Sequence, residues 1–247
     1  MFDTVGVVLP SALPSSVASP SLQELAERIR PAVLARQSVV PVLESLAFLF
    51  PDGGLVRGSV VAVGGIGATS LALQLVAGAS RAGSWVAVVG LSDLAPVAVL
   101  EAGIDAARVV FIDPGHSGRQ ADVVAALIGA VDVVVLDARL PMRATETRRL
   151  ASRLRERGSI LLSLSPEMER PSSWSADLSL TVAEGRWAGP ECGHGHLQLR
   201  RVQIEVGGRG RANRPVQHEV LLPALSGHVV RIESDTDDAT VLSFAQR

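Results

Sequence analysis

Gly64-Gly65-Ile66-Gly67-Ala68-Thr69-Ser70 sets glycines and hydroxyl residues between an apolar run and a helical pattern. In that setting, backbone N–H groups and the positive end of a helix can cradle a phosphate. A working loop of this kind has a glycine, four residues, then Gly-Lys-Ser/Thr. In that register Ala62 stands at the first glycine and Ala68 at the lysine, while Gly67 and Thr69 keep their types. The missing lysine would meet the transferred phosphate through charge-assisted bonds, each worth roughly 1.5–3 kcal/mol. No arginine replaces it, in a chain that has no lysine at all.

A second chemical position is Asp137, which ends the apolar run 131–136. A carboxylate placed there supports magnesium during nucleotide hydrolysis. Its plainer reading is a polar strand end, which the short motif alone favours. A water-activating acid is expected after residues 85–89. Leu91 falls nearest its position, and Asp93 reads as a helix cap before Leu94-Ala95-Pro96. The expectation is therefore no catalytic residue, no metal and no resident cofactor. Backbone N–H groups still leave magnesium-ATP binding without hydrolysis open.

These positions need a sheet to hold them. Apolar runs at 60–63, 85–89, 109–112, 133–136 and 160–164 alternate with helical patterns at 68–81, 97–103, 119–130 and 145–157. Strands buried on both faces read as continuous apolar runs, and this alternation predicts a parallel sheet wound by helices. After residue 176 the rhythm changes to strands at 177–181, 197–206 and 216–222, with Gln198, Arg200, Gln203 and Glu205 marking a solvated face. Upstream, residues 10–21 are rich in Ser, Pro and Ala. Ser21 with Glu24 at capping-box spacing predicts a helix over 22–36. The turn cluster Pro51-Asp52-Gly53-Gly54 places a fold boundary nearby.

Composition narrows the class. With 247 residues, 47% of them hydrophobic, the chain suits one α/β domain with appendages. A formal net charge of −2 lacks the basic bias of a dedicated nucleic-acid binder. The single cysteine, Cys192, excludes an internal disulfide and fits a reducing cytoplasm. The apolar run 5–9 is too short for a signal peptide or a membrane span.

In order along residues 43–215, these elements resemble the RecA recombinase core. The strings that carry the resemblance are Leu71-Ala72-Leu73-Gln74, Ala102-Gly103-Ile104-Asp105 and the run ending at Asp137. The resemblance implies a three-layer α/β core with a mainly parallel sheet plus C-terminal antiparallel strands. Residues 1–41 would be a helical extension, 42–222 a degenerate RecA-like core and 223–247 a C-terminal segment. Gly64, Gly67, Ala68, Thr69, Ser70 and Asp137 are the vestigial nucleotide positions. RecA grips single-stranded DNA with loops that follow two of its strands. Here the corresponding stretches, 138–144 and 165–175, are short, and Pro166 stands at the nucleotide-sensing glutamine.

Within that superfamily, the lysine-free loop is similar to that of the actinobacterial ImuA-prime proteins. That resemblance implies a non-catalytic scaffold in DNA-damage-induced translesion synthesis. Its partners would be an ImuB-type Y-family polymerase homologue, an error-prone DnaE-type polymerase and RecA, with DNA contact weak or indirect. The place would be the cytoplasm, at the nucleoid through those partners. The alternative is a nucleotide- or dinucleotide-binding enzyme, or a residual ATPase, using Gly64 to Ser70. Ser70 in the third glycine's place and Gly90 at the end of the second strand count against a dinucleotide site.

Arg148, Arg149, Arg153, Arg155 and Arg157 share one helical pattern, with Leu150 and Leu154 forming its apolar stripe. Together with Arg139 and Arg143 they make the densest positive region and a candidate partner surface. A solvated face partly neutralised by Glu146 and Glu156 is the plainer reading. Trp174 is placed on that surface by its shortened loop, with Arg170 beside it, although core packing explains it equally. Arg200, Arg201, Arg209, Arg211 and Arg214 form a second cluster. His194 and His196 lack acidic or thiol partners and read as a hairpin turn.

Overall fold

The computed structural model describes residues 38–115, 118–166, 173–189 and 196–232, the side chains of Glu184 and Arg211 excepted. The chain divides into two compact units, residues 1–37 and 38–247. The helix expected over 22–36, together with Arg170, Cys192, His194 and the acidic stretch 233–238, lies outside the described residues.

In the second unit each apolar run becomes a strand. In chain order they are β1 Val39–Pro41, β2 Gly54–Val56, β3 Val60–Gly65, β4 Val86–Val89, β5 Val109–Ile112 and β6 Val133–Asp137. There follow β7 Ile160–Ser165, β8 Leu178–Ala188, β9 Leu199–Gly208, β10 Val216–Leu221 and β11 Val230–Arg231. The helices are α1 Ala68–Arg81, α2 Pro96–Glu101, α3 Gln120–Leu127 and α4 Ala144–Arg157. The main sheet has nine strands in the order β11-β10-β9-β8-β3-β7-β6-β4-β5. From β8 to β5 every neighbouring pair is parallel, and β8 to β11 continue the sheet antiparallel. The fold is a RecA-like mixed α/β layer structure, as the sequence predicts.

Alternation along the strands feeds two cores. Val133 and Val135 of β6 join Val61, Val63, Leu162 and Leu164 beneath α1. Val134 and Leu136 face the other way, into a cluster with Val124 of α3 and Leu150 and Leu154 of α4. Both faces of the central strands are thus covered, which is why their sequences carry no polar alternation. Asp177 pins the start of the sheet, accepting the Val60 N–H at 2.9 Å.

Residues 38–50 belong to this unit, although the sequence reading assigned everything up to residue 41 to an extension. β1 pairs antiparallel with β2, matching Val39 to Val56. Between them the 3-10 turn Glu44–Leu49 buries Leu46 and Leu49 against α1. The backbone of Val42 and Leu43 lies so close to Gly78 of α1 that any side chain there would overlap it. At the other end, residues 223–232 also join the sheet, since Arg231 of β11 pairs with Val220. Edge strand β5 leaves Val110 and Phe111 exposed.

β10 contributes a pH response. The His218 ring meets Phe48 edge-on at 5.0 Å, and Arg231 stacks over the same Phe48 at 4.8 Å. Burial, and then the charge of Arg231, push the His218 imidazole below its ordinary value of 6.5. The folded state then binds fewer protons than the unfolded one. Stability is level above pH 6.5 and falls as pH drops from there through the lower folded-state value. Urea midpoints measured from pH 7.5 down to 5 should show this slope in the wild type and a shallower one in His218→Gln.

Candidate functional site

β3 delivers the loop to the C-terminal end of the parallel strands. Gly67 adopts φ +95° as the N-cap of α1, and Leu71 N–H donates to its carbonyl at 3.0 Å. Ala68 is fully buried in the core beneath α1, so the lysine position is filled by packing instead of charge. Thr69 is half-buried and Ser70 exposed. No side chain caps the helix.

Asp137 ends β6 in register with Leu164 of β7, which pairs in turn with Val63 of β3. Two strand spacings of about 4.8 Å therefore separate it from the loop strand. Alternation along β6 turns it to the α1 side, where a magnesium-supporting carboxylate would stand. Its surroundings differ from that role. The Arg139 guanidinium grips both carboxylate oxygens, Nη2 at 2.8 Å and Nε at 3.0 and 3.1 Å, and the Arg139 N–H adds a bond at 2.8 Å. The Asp137 side chain is 5% exposed and that of Arg139 44%.

A second arginine reaches the loop from β9. Arg200 donates from Nη2 to the Ile66 carbonyl at 2.9 Å and stacks over Trp187 at 5.4 Å from the ring centroid. It is 8% exposed, its Nε has no partner among the described residues, and burial lowers its pKa. A methyl on Gly67 would overlap the guanidinium, so that glycine is required twice, by its positive φ and by this contact. The sequence reading had put Arg200 on the solvated face. In the structure it shares a buried row with Val202, Ile204 and Val206, while Gln203 and Glu205 are exposed. The period-two spacing to Val202 is the signal that could have found it. For Arg139 the signal is its position two residues after the aspartate.

As a magnesium–nucleotide site this set does not fit. Its carboxylate is held by a guanidinium, its lysine position is a buried methyl, and its neighbouring arginine is bonded to a loop carbonyl. Leu91, near the position of a water-activating acid, packs against the core, and Asp93 is exposed. Asp93 does not cap α2, whose N-cap is Ala95 with Pro96 following. Among the described residues no group of three or more His, Cys, Asp or Glu could hold a metal ion.

The α4 surface lies elsewhere. Glu146 receives the Arg143 N–H at 2.7 Å and Gly158 closes the helix in the left-handed region. Arg148, Arg149, Arg153, Arg155 and Arg157 are all exposed, and none has an ion-pair partner among the described residues. Glu146 and Glu156 form no salt bridge with them among the described residues: the former caps the helix and the latter takes the Ser152 hydroxyl at 3.4 Å. Trp174 corrects the expectation of exposure, because it is 5% exposed and packed with Leu150 and Leu154. The second cluster disperses, with Arg200 buried, Arg201 paired to Glu219 at 2.9 Å and Arg209 bonded to Ser175. His196 is exposed.

Together the sheet order and the chain order of its elements define a RecA-like α/β domain in which Ala68 stands at the lysine position of a phosphate loop. The fold is similar to the crystal structure of the RadB recombinase, with a TM-score of 0.56 and 16% identity over 77% of this chain and 97% of that one. Residues 48–170 match the family model described as the MT3502 N-terminal domain. The chain is 33% identical over 150 residues to the uncharacterized protein Rv3395c of Mycobacterium tuberculosis (strain ATCC 25618 / H37Rv), spanning 59% of this chain and 71% of the relative. It belongs to the family of that mycobacterial protein. No helix among the described residues is long and apolar enough to cross a membrane.

Proposed function

We propose that this chain is a non-catalytic RecA-like accessory protein of DNA-damage-induced mutagenesis. It acts in translesion synthesis as an adaptor for an ImuB-type Y-family polymerase homologue and an error-prone DnaE-type polymerase. RecA is a further partner, DNA contact is weak or indirect, and the complex works in the cytoplasm at the nucleoid. The observation that carries the non-catalytic part is Asp137 held on both oxygens by Arg139. The guanidinium on both oxygens and the Arg139 N–H on one of them take up most of the lone pairs that a metal or its waters would use. Ala68 adds no charge to draw in a phosphate. What such a domain keeps is surface, and the exposed arginines of α4 are its most concentrated unpaired charge among the described residues. The choice of partners rests on the overall similarity of a short, cysteine-poor chain with a lysine-free loop to ImuA-prime proteins.

The test is calorimetric titration with magnesium-ATP together with a phosphate-release assay, on the wild type and on Asp137→Ala. The expected result is neither binding heat nor turnover in either protein. Turnover in the wild type that Asp137→Ala abolishes would overturn the reading. Affinity capture from damage-induced cells should then recover the ImuB-type protein with the wild type.

A further inference from the structure

The arginines of α4 are not equivalent. Successive residues turn by about 100° on a helix, so Arg148 and Arg155, seven apart, stand on one line, while Arg149, Arg153 and Arg157 spread around the outer side. The first pair lines a concavity. Arg148 and Arg155 border a cleft of about 490 Å³ with Arg209, Thr147 and Trp174. Arg155, Arg209 and Asp177 also border a second cleft of about 340 Å³, floored by Phe50, Leu55 and Leu178. The two clefts have Arg155, Asp177 and Arg209 in common and together make a trough, whose α4 end carries Arg148 and whose other end carries Asp52 and Arg57 beside its apolar floor.

The charges in it are unevenly committed. Arg57, in the second cleft, is paired with Asp132 at 2.9 Å, and Arg209 is bonded to Ser175. Asp177, where the clefts meet, accepts the Val60 N–H. Arg148 and Arg155 have no partner among the described residues. At 1.5 Å rise per residue they are about 10 Å apart along the helix. A peptide in the polyproline II conformation advances about 3.1 Å per residue with three residues per turn, so carboxylates three residues apart lie on one face and about 9 Å apart.

We infer that the trough binds an extended acidic segment of a partner protein, with two carboxylates on Arg148 and Arg155 and an apolar side chain in the cleft over Phe50 and Leu55. This deepens the adaptor reading and rests on it. A nucleic acid fits less well. A duplex brings one charge per about 1.7 Å of its axis, far more than two uncommitted cations neutralise.

Fluorescence anisotropy tests it on the full chain. The probes are a fluorescein-labelled peptide carrying glutamates at three-residue spacing among leucines and valines, the same peptide with glutamine for glutamate, and a labelled single-stranded oligonucleotide. The glutamate peptide should bind the wild type, and Arg148→Glu with Arg155→Glu should weaken it by about tenfold or more. The same reversal at Arg149 and Arg153, equal in net charge, should change affinity less than about twofold. Equal loss in both double variants would overturn the trough as a site, as would a glutamine peptide that binds as well. Binding of the oligonucleotide but not the peptide would overturn it in favour of nucleic acid. The adaptor reading falls separately, by magnesium-ATP turnover, which these probes do not touch.

Discussion

Asp137→Ala should lower the stability of the fold by about 2–4 kcal/mol, because it removes the carboxylate that both the Arg139 guanidinium and the Arg139 N–H bond. The upper end of the range for broken buried pairs does not apply, since the Arg139 side chain is 44% exposed and can turn to water. Arg139→Ala leaves the carboxylate itself, 5% exposed, without its cation, and should be at least as damaging. The double variant should lose less than the sum of the singles, with a coupling of about 1–3 kcal/mol. Urea denaturation of the four proteins measures this. Additive losses would mean that the pair in the structure contributes nothing as a pair, and the latch on the vestigial site would then be an incidental contact.

Arg200 carries the second large effect. Arg200→Ala removes a long buried side chain from the core-facing row of β9 and opens a cavity beside Gly67. A loss of about 2–4 kcal/mol is expected. Arg200→Met keeps most of the volume and removes a buried cation whose Nε is unpartnered among the described residues. It should fall within about 1 kcal/mol of the wild type. The contrast separates filling of space from charge. If Arg200→Met is as unstable as Arg200→Ala, the bond to the Ile66 carbonyl and the stacking on Trp187 matter more than the packing. Thermal and urea unfolding of both variants, monitored together, decide it.

The strands were legible because the central sheet is buried on both faces. Runs such as Val133–Asp137 and Ile160–Ser165 have no polar interruption to blur their limits. The turn into α1 was legible as well, since Gly67 must be glycine for reasons of backbone geometry. What the sequence concealed were the side-chain partnerships across the sheet. Arg200 sits 134 residues from Ile66, and nothing local marks that pairing. Trp174 was drawn outward by its place in a shortened loop, yet the Leu150 and Leu154 stripe of α4 needed a cover. Residues 39–41 were assigned to the extension because three-residue strands leave almost no pattern, and their pairing with β2 depends on the intervening turn.

The outermost strand has a practical corollary for anyone handling the protein. β5 offers Val110 and Phe111 on a sheet border with no further strand among the described residues, the sort of border along which foreign strands stack. Its protection is brevity and two charges: the strand is four residues long, with Arg108 before it and Asp113 after. Neutralising either flank for labelling or crystallisation would remove a gatekeeper, and concentrated stocks of such variants should cloud before the wild type does.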